Sequence, residues 1–116
     1  MTAERGLGRT PHEMPHNNRS YDVQSLGPDG SVIRIEVRDR VEGAPHVTIS
    51  HNEVLTAKNL GDDYRLALVE VSEAGPYGDQ LRYLIRPFDV IGPNDFRITK
   101  LVLDWRKLWS EGGTPS

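Results

Sequence analysis

No cysteine occurs among the 116 residues, so the chain has neither a disulfide framework nor thiolate chemistry. That is compatible with a cytosolic protein, and a cytoplasmic location is the expectation. No apolar run approaches the length of a membrane span, and the N-terminus lacks the apolar core of a signal peptide; no membrane partner is expected. There is no basic excess: the formal net charge is −3, whereas a nucleic-acid-binding domain usually carries a clear positive balance. Only a local basic patch fits that figure. No internal repeat and no helicase motor motif is present, so any ATP-driven work lies elsewhere. What is present is a length suited to one domain, residues 1–116, with its own core. Hydrophobic residues at 36% against 27% charged allow a polar surface over a modest interior.

The stretch from Tyr21 to Arg40, YDVQSLGPDGSVIRIEVRDR, reads as two strands joined by a tight turn. The ring of Pro28 fixes φ near the value required at the second position of a type I turn. Asp29 tolerates the next position, and Gly30 takes a left-handed conformation without steric cost. A type I turn followed by a left-handed residue is the common three-residue hairpin loop. With Pro28, Asp29 and Gly30 as that loop, Gly27 faces Ser31. Counting outward places Asp22 opposite Glu36 and Ser20 opposite Arg38. Opposed Cβ atoms lie roughly 4.5–5.5 Å apart, and like charges there are destabilising. A compensating cation is therefore expected. One candidate is Mg²⁺ on Asp22 and Glu36, since such ions are held by one or two carboxylates together with phosphate oxygens. The other is an arginine on the same face. Side chains two apart share a face, so Arg34, Glu36 and Arg38 line one side while Ile33, Ile35 and Val37 pack the core. The plainer reading is a solvated charged face in which Arg34 and Arg38 balance the carboxylates, because ion-pair networks are common.

Before the hairpin, Met1–Arg9 reads as the end of a helix. Thr10–Ser20, with two prolines and two asparagines, reads as irregular chain. His12 and His16 have the spacing of a helical metal pair, but Pro11 and Pro15 argue against a helix through them, and no further zinc ligand set lies nearby. After the hairpin, Val41–Pro45 is a polar turn and His46–Ile49 a short strand. Ser50-His51-Asn52-Glu53 has capping-box spacing at a helix start; the helix runs to about Leu60, with Gly61 as its stop. Capping alone explains Glu53. Its other reading is a third acidic group near Asp22 and Glu36. Tyr64–Val71 reads as a buried strand, Leu81–Arg86 as another, Phe88–Phe96 as a connection and Arg97–Leu103 as an edge strand. Asp104 caps a last helix, Trp105–Glu111, with Leu108 and Trp109 inward, and residues 112–116 are a flexible tail. Strands on both sides of a central helix predict an α/β (α+β) fold, a mixed central sheet flanked by helices.

Two segments, YDVQSLGPDGSVIRIEVRDR and TISHNEVLTAKNLGDDYRLALVEV, resemble a bacterial domain family related to the C-terminus of the plant protein NO VEIN. The resemblance runs from ERGLGR to the terminal tryptophan helix. It implies a restriction-endonuclease-like fold of the PD-(D/E)xK group, often found at the end of large Swi/Snf-type helicases. It implies DNA as ligand and a helicase or other DNA-processing protein as partner, with this chain a terminal piece of a larger protein or a stand-alone relative. Residue by residue, Asp22 stands at the motif aspartate, Glu36 at the motif glutamate, Arg38 at the motif lysine and Glu4 at a helix acidic position. The chain departs from the family at Ser20, usually glycine, and at Arg38-Asp39, usually lysine–glycine. Arginine stays protonated, is larger and presents a planar fork, so it can bind phosphate or a carboxylate but cannot supply a neutral amine. The resemblance thus implies one of two functions. The first is an accessory module that binds nucleic acid through Arg34, Arg38 and Arg40, or docks on a partner, with weak or no cleavage; the Lys-to-Arg change favours it. The second is a Mg²⁺-dependent endonuclease in which Asp22 and Glu36 hold the metal and Arg38 stabilises the scissile phosphate.

Overall fold

In the computed structural model, which describes residues 2–18, 21–73, 75, 79–89 and 100–116, the chain begins with α1 (Thr2–Gly6) and β1 (Thr10–Glu13). There follow β2 (Val23–Leu26), β3 (Val32–Val41), β4 (His46–Ser50), α2 (His51–Leu60) and a short 3-10 turn (Gly61–Asp63). The elements β5 (Tyr64–Val71), β6 (Gln80–Ile85), β7 (Lys100–Asp104) and α3 (Trp105–Glu111) complete it. Among these residues the strands form a five-stranded sheet, β1-β2-β3-β5-β6, and a two-stranded sheet of β4 and β7. No described helix is long and apolar enough to cross a membrane.

The turn at Pro28–Gly30 sets the register. Gly30 has φ 86°, and the amide of Gly27 donates to the carbonyl of Ser31 at 2.8 Å. Val23 then faces Ile35, and Gln24 faces Arg34, the register expected from the loop. β3 runs parallel to β5. Parallel neighbours need a crossover, and here it carries β4 and α2. β5 is buried on both faces by alternation. Tyr64, Leu66 and Leu68 join Val47, Ile49, Val54, Trp105 and Trp109 in the larger core. Ala67 joins Val23, Ile33, Ile35 and Tyr83 in a smaller one on the other face. The fold is α+β with a mixed sheet and helices, as the pattern predicts.

Three expectations change. Thr10–Glu13 is a strand rather than irregular chain, paired along β2 from Thr10–Leu26 to Glu13–Val23. Pro11 is tolerated because β1 is an edge, where one row of amides needs no ladder partner. The last strand does not extend the main sheet. It pairs antiparallel with β4, from His46–Asp104 to Ser50–Lys100, because Val47 and Ile49 turn into the larger core beneath α2 and α3. The tail is tied down: Gly113 exchanges backbone hydrogen bonds with Tyr83 at 2.8 and 3.0 Å, and the Ser116 carbonyl accepts from Arg9 and Arg65. The expected connection over 90–96 and the first residues of the expected strand, 97–99, lie outside the described residues.

Candidate functional site

The crossover that joins β3 to β5 brings the start of α2 over the charged face of β3. At the same end the chain enters β2 through Asp22, whose amide donates to the Ile35 carbonyl at 2.9 Å. Asp22, Glu36, Ser50, His51 and Glu53 line one open pocket of about 480 Å³. Asp22 Oδ2 accepts from the Val37 amide at 2.8 Å. The centre of the group is Arg38. Its Nη1 donates to Glu36 Oε1 and, at 3.1 Å, to the Val37 carbonyl. Its Nη2 donates to Glu53 Oε1, which also accepts from Ser50 Oγ at 3.0 Å.

Two carboxylates thus grip one guanidinium, with a third, Asp22, close enough to act on it through its charge. Glu36 is only 5% exposed. Its burial pushes its carboxyl up to about 8; Arg38 opposes that rise, while Glu53 and Asp22 add to it. Burial disfavours the charged form of Arg38, but Glu36 and Glu53 outweigh it and hold the guanidinium above its ordinary value. Glu53 Oε2 is buried with no hydrogen-bond partner.

The donors are oxygens, the type Mg²⁺ prefers. Their arrangement does not fit a resident ion. Arg38 occupies the space between Glu36 and Glu53, and Asp22 is turned to a backbone amide. Among the described residues no three acidic or histidine side chains form a metal-holding group. A second cation about 4 Å from the guanidinium would be repelled by roughly 4 kcal/mol for each unit charge at an effective dielectric of 20.

Asp22, Glu36 and Arg38 therefore meet in one place. Arg34 is half-buried and Arg40 exposed on the same strand, flanking the cluster. Glu4 does not join it. It lies on the opposite face, fully buried, gripped by Arg9 Nε and Nη2 at 2.7 and 2.8 Å and by the Tyr83 hydroxyl at 2.8 Å. His12 pairs with Gln24 in the edge ladder, so the helical histidine pair does not form. Glu53 joins the cluster as the third acidic group, the second of the two readings its spacing allows. Ser50 does cap α2, its Oγ accepting from the Glu53 amide at 3.1 Å, but the Glu53 carboxylate turns to Arg38. The signal available was the capping-box spacing, which accounts for a glutamate there without any site.

Residues 1–84 match the family model described as protein NO VEIN, C-terminal. No curated protein matches the chain. Among solved structures, the Hjc Holliday junction resolvase of the archaeal hyperthermophile Archaeoglobus fulgidus is similar, with a TM-score of 0.57 and 11% identity over 97% of this chain and 89% of that one. At that identity the likeness shows the fold, which is restriction-endonuclease-like.

Proposed function

The chain belongs to the family of the NO VEIN C-terminal domain, and from that premise we propose that it is a nuclease-fold accessory module that engages DNA without cutting it, in the service of a helicase-type DNA-processing protein. The observation that carries this reading is Arg38 seated between Glu36 and Glu53. The guanidinium supplies the positive charge that two buried carboxylates require, and it does so permanently, since arginine does not deprotonate in proteins. Arg34 and Arg40, on the same face of β3, are free of that cluster and are the groups that meet phosphate oxygens. Such contacts position a duplex or strand without reading its sequence. With a net charge of −3, binding is weak and falls steeply with salt.

The alternative is a Mg²⁺-dependent endonuclease, favoured by Asp22 and Glu36 facing one pocket on a resolvase-like fold. The two readings separate in a nicking assay on plasmid and single-stranded DNA with Mg²⁺ or Mn²⁺. It compares the wild type, the Arg38→Lys, Asp39→Gly double variant and Asp22→Asn. The wild type is expected not to cut, and the double variant to gain Mn²⁺ binding in calorimetry. Robust wild-type cleavage that disappears in Asp22→Asn would establish the enzyme instead. Anisotropy with labelled DNA checks the binding half: Arg34→Ala with Arg40→Ala should abolish the low-salt signal.

A further inference from the structure

The two faces of the five-stranded sheet are covered unequally. On one lie α2, α3 and the β4–β7 pair, over the larger core. On the other, Val37, Val69 and Leu81 remain half-buried. These three floor an open cleft of about 550 Å³, within the range of ordinary ligand sites. Its rim is acidic, with Glu13, Asp22 and Asp79. Backbone amides hold two of these carboxylates in place: Ser72 donates to Asp79 Oδ1 at 2.8 Å and Val37 to Asp22 Oδ2 at 2.8 Å. Among the described residues lining the cleft there is no lysine or arginine, and His16 is the one basic side chain.

We propose that this cleft docks a short basic, apolar segment of a partner protein. An aliphatic side chain of the segment covers Val37, Val69 and Leu81, and a flanking lysine or arginine reaches the Glu13, Asp22 and Asp79 carboxylates. Apolar sheet surface is most stable when another element covers it. The rim decides what does. A nucleic acid would set its phosphates against three carboxylates. A second copy of this chain would bring its own net charge of −3. A basic segment meets complementary charge and buries the apolar floor in the same step. Asp22 lines this cleft and the DNA-facing pocket alike, so the test rests on Glu13 and Asp79, which line the cleft and not that pocket.

The test is a titration of the ¹⁵N-labelled full chain with two probe peptides, acetyl-KLVLRK-amide and the charge-reversed acetyl-ELVLEE-amide, followed by amide chemical shifts. The basic peptide is expected to give saturable shifts at Val37, Val69 and Leu81, strongest at low salt, and the acidic one none. Glu13→Gln with Asp79→Asn, both at exposed positions, should weaken the basic peptide about tenfold, as removal of complementary charge does, while the rest of the spectrum stays in place as evidence of an intact fold. Absence of saturable shifts, equal binding of both peptides, shifts confined to another surface, or undiminished affinity in the double variant would each overturn the proposal.

Discussion

Arg38 does for Glu36 and Glu53 what a metal ion does for opposed carboxylates elsewhere, and its removal should expose how much they need it. Breaking a buried ion pair by deleting one partner costs about 3–5 kcal/mol, because the remaining charge stays buried and unpaired. The Arg38 side chain is 25% exposed, against 6% for Glu36 and 10% for Glu53, so the lower end applies. Arg38→Ala should lower the unfolding free energy near neutral pH by about 3 kcal/mol in urea melts. Adding Glu53→Gln should recover part of the loss, since Glu53 is then no longer left buried as a carboxylate without its partner. A variant as stable as the wild type would mean the guanidinium is not paired in solution. At this scale much was legible. The loop chemistry of Pro28, Asp29 and Gly30 fixed Asp22 beside Glu36, and alternation put Arg38 on their face. Glu53 was legible only as the second of two readings, because a carboxylate three residues after a capping serine needs no second reason to be there.

Among the elements, α2 shows most directly how a local signal and a site share atoms. Ser50 Oγ accepts from the Glu53 amide and donates to the Glu53 carboxylate, so one hydroxyl both caps the helix and steadies a partner of Arg38. Replacing a capping serine by alanine costs typically about 1 kcal/mol. With the second bond lost as well, Ser50→Ala should cost about 1–2 kcal/mol in thermal unfolding, more than Asp104→Ala, whose side chain caps α3 by accepting from the Lys107 amide. Equal losses would remove the second role from Ser50. Caps and stops were readable because each depends on a few adjacent residues: Ser50, Gly61 and Asp104 all fall where the sequence places them. Pairing partners were not. Nothing local marks His46–Ser50 for a strand fifty residues on rather than for the main sheet. Pro11 hides β1, since proline argues against a strand everywhere except at an edge, and which strand is an edge is a property of the assembled sheet.

At the scale of the whole molecule, two buried glutamates on opposite faces of the sheet, Glu4 and Glu36, give stability a pH dependence with two opposite limbs. The mixed sheet itself follows from a helix set between strands, but which face each carboxylate occupies emerges only from the completed topology. Burial raises Glu4, yet hydrogen bonds led by Arg9 outweigh it, and its carboxyl sits below the ordinary value of 4.5. Glu36 is raised by burial to about 8. A depressed carboxyl contributes stability that is present above its ordinary value and lost as pH falls below it. A raised one contributes stability that is present below its ordinary value and lost as pH climbs to the folded value. Stability from this pair should therefore peak near 4.5, fall on the acid side through Glu4, and fall towards pH 8 through Glu36, the latter by on the order of a few kcal/mol. The check is a series of thermal midpoints across this range for the wild type, Glu4→Gln and Glu36→Gln. Glu36→Gln should flatten the alkaline limb and leave the acid one, and Glu4→Gln the reverse. The two share no partner, so the double variant should show the sum of both changes. An alkaline limb that persists in Glu36→Gln would mean that Glu36 stays ionised beside Arg38 throughout, with the guanidinium fully offsetting its burial.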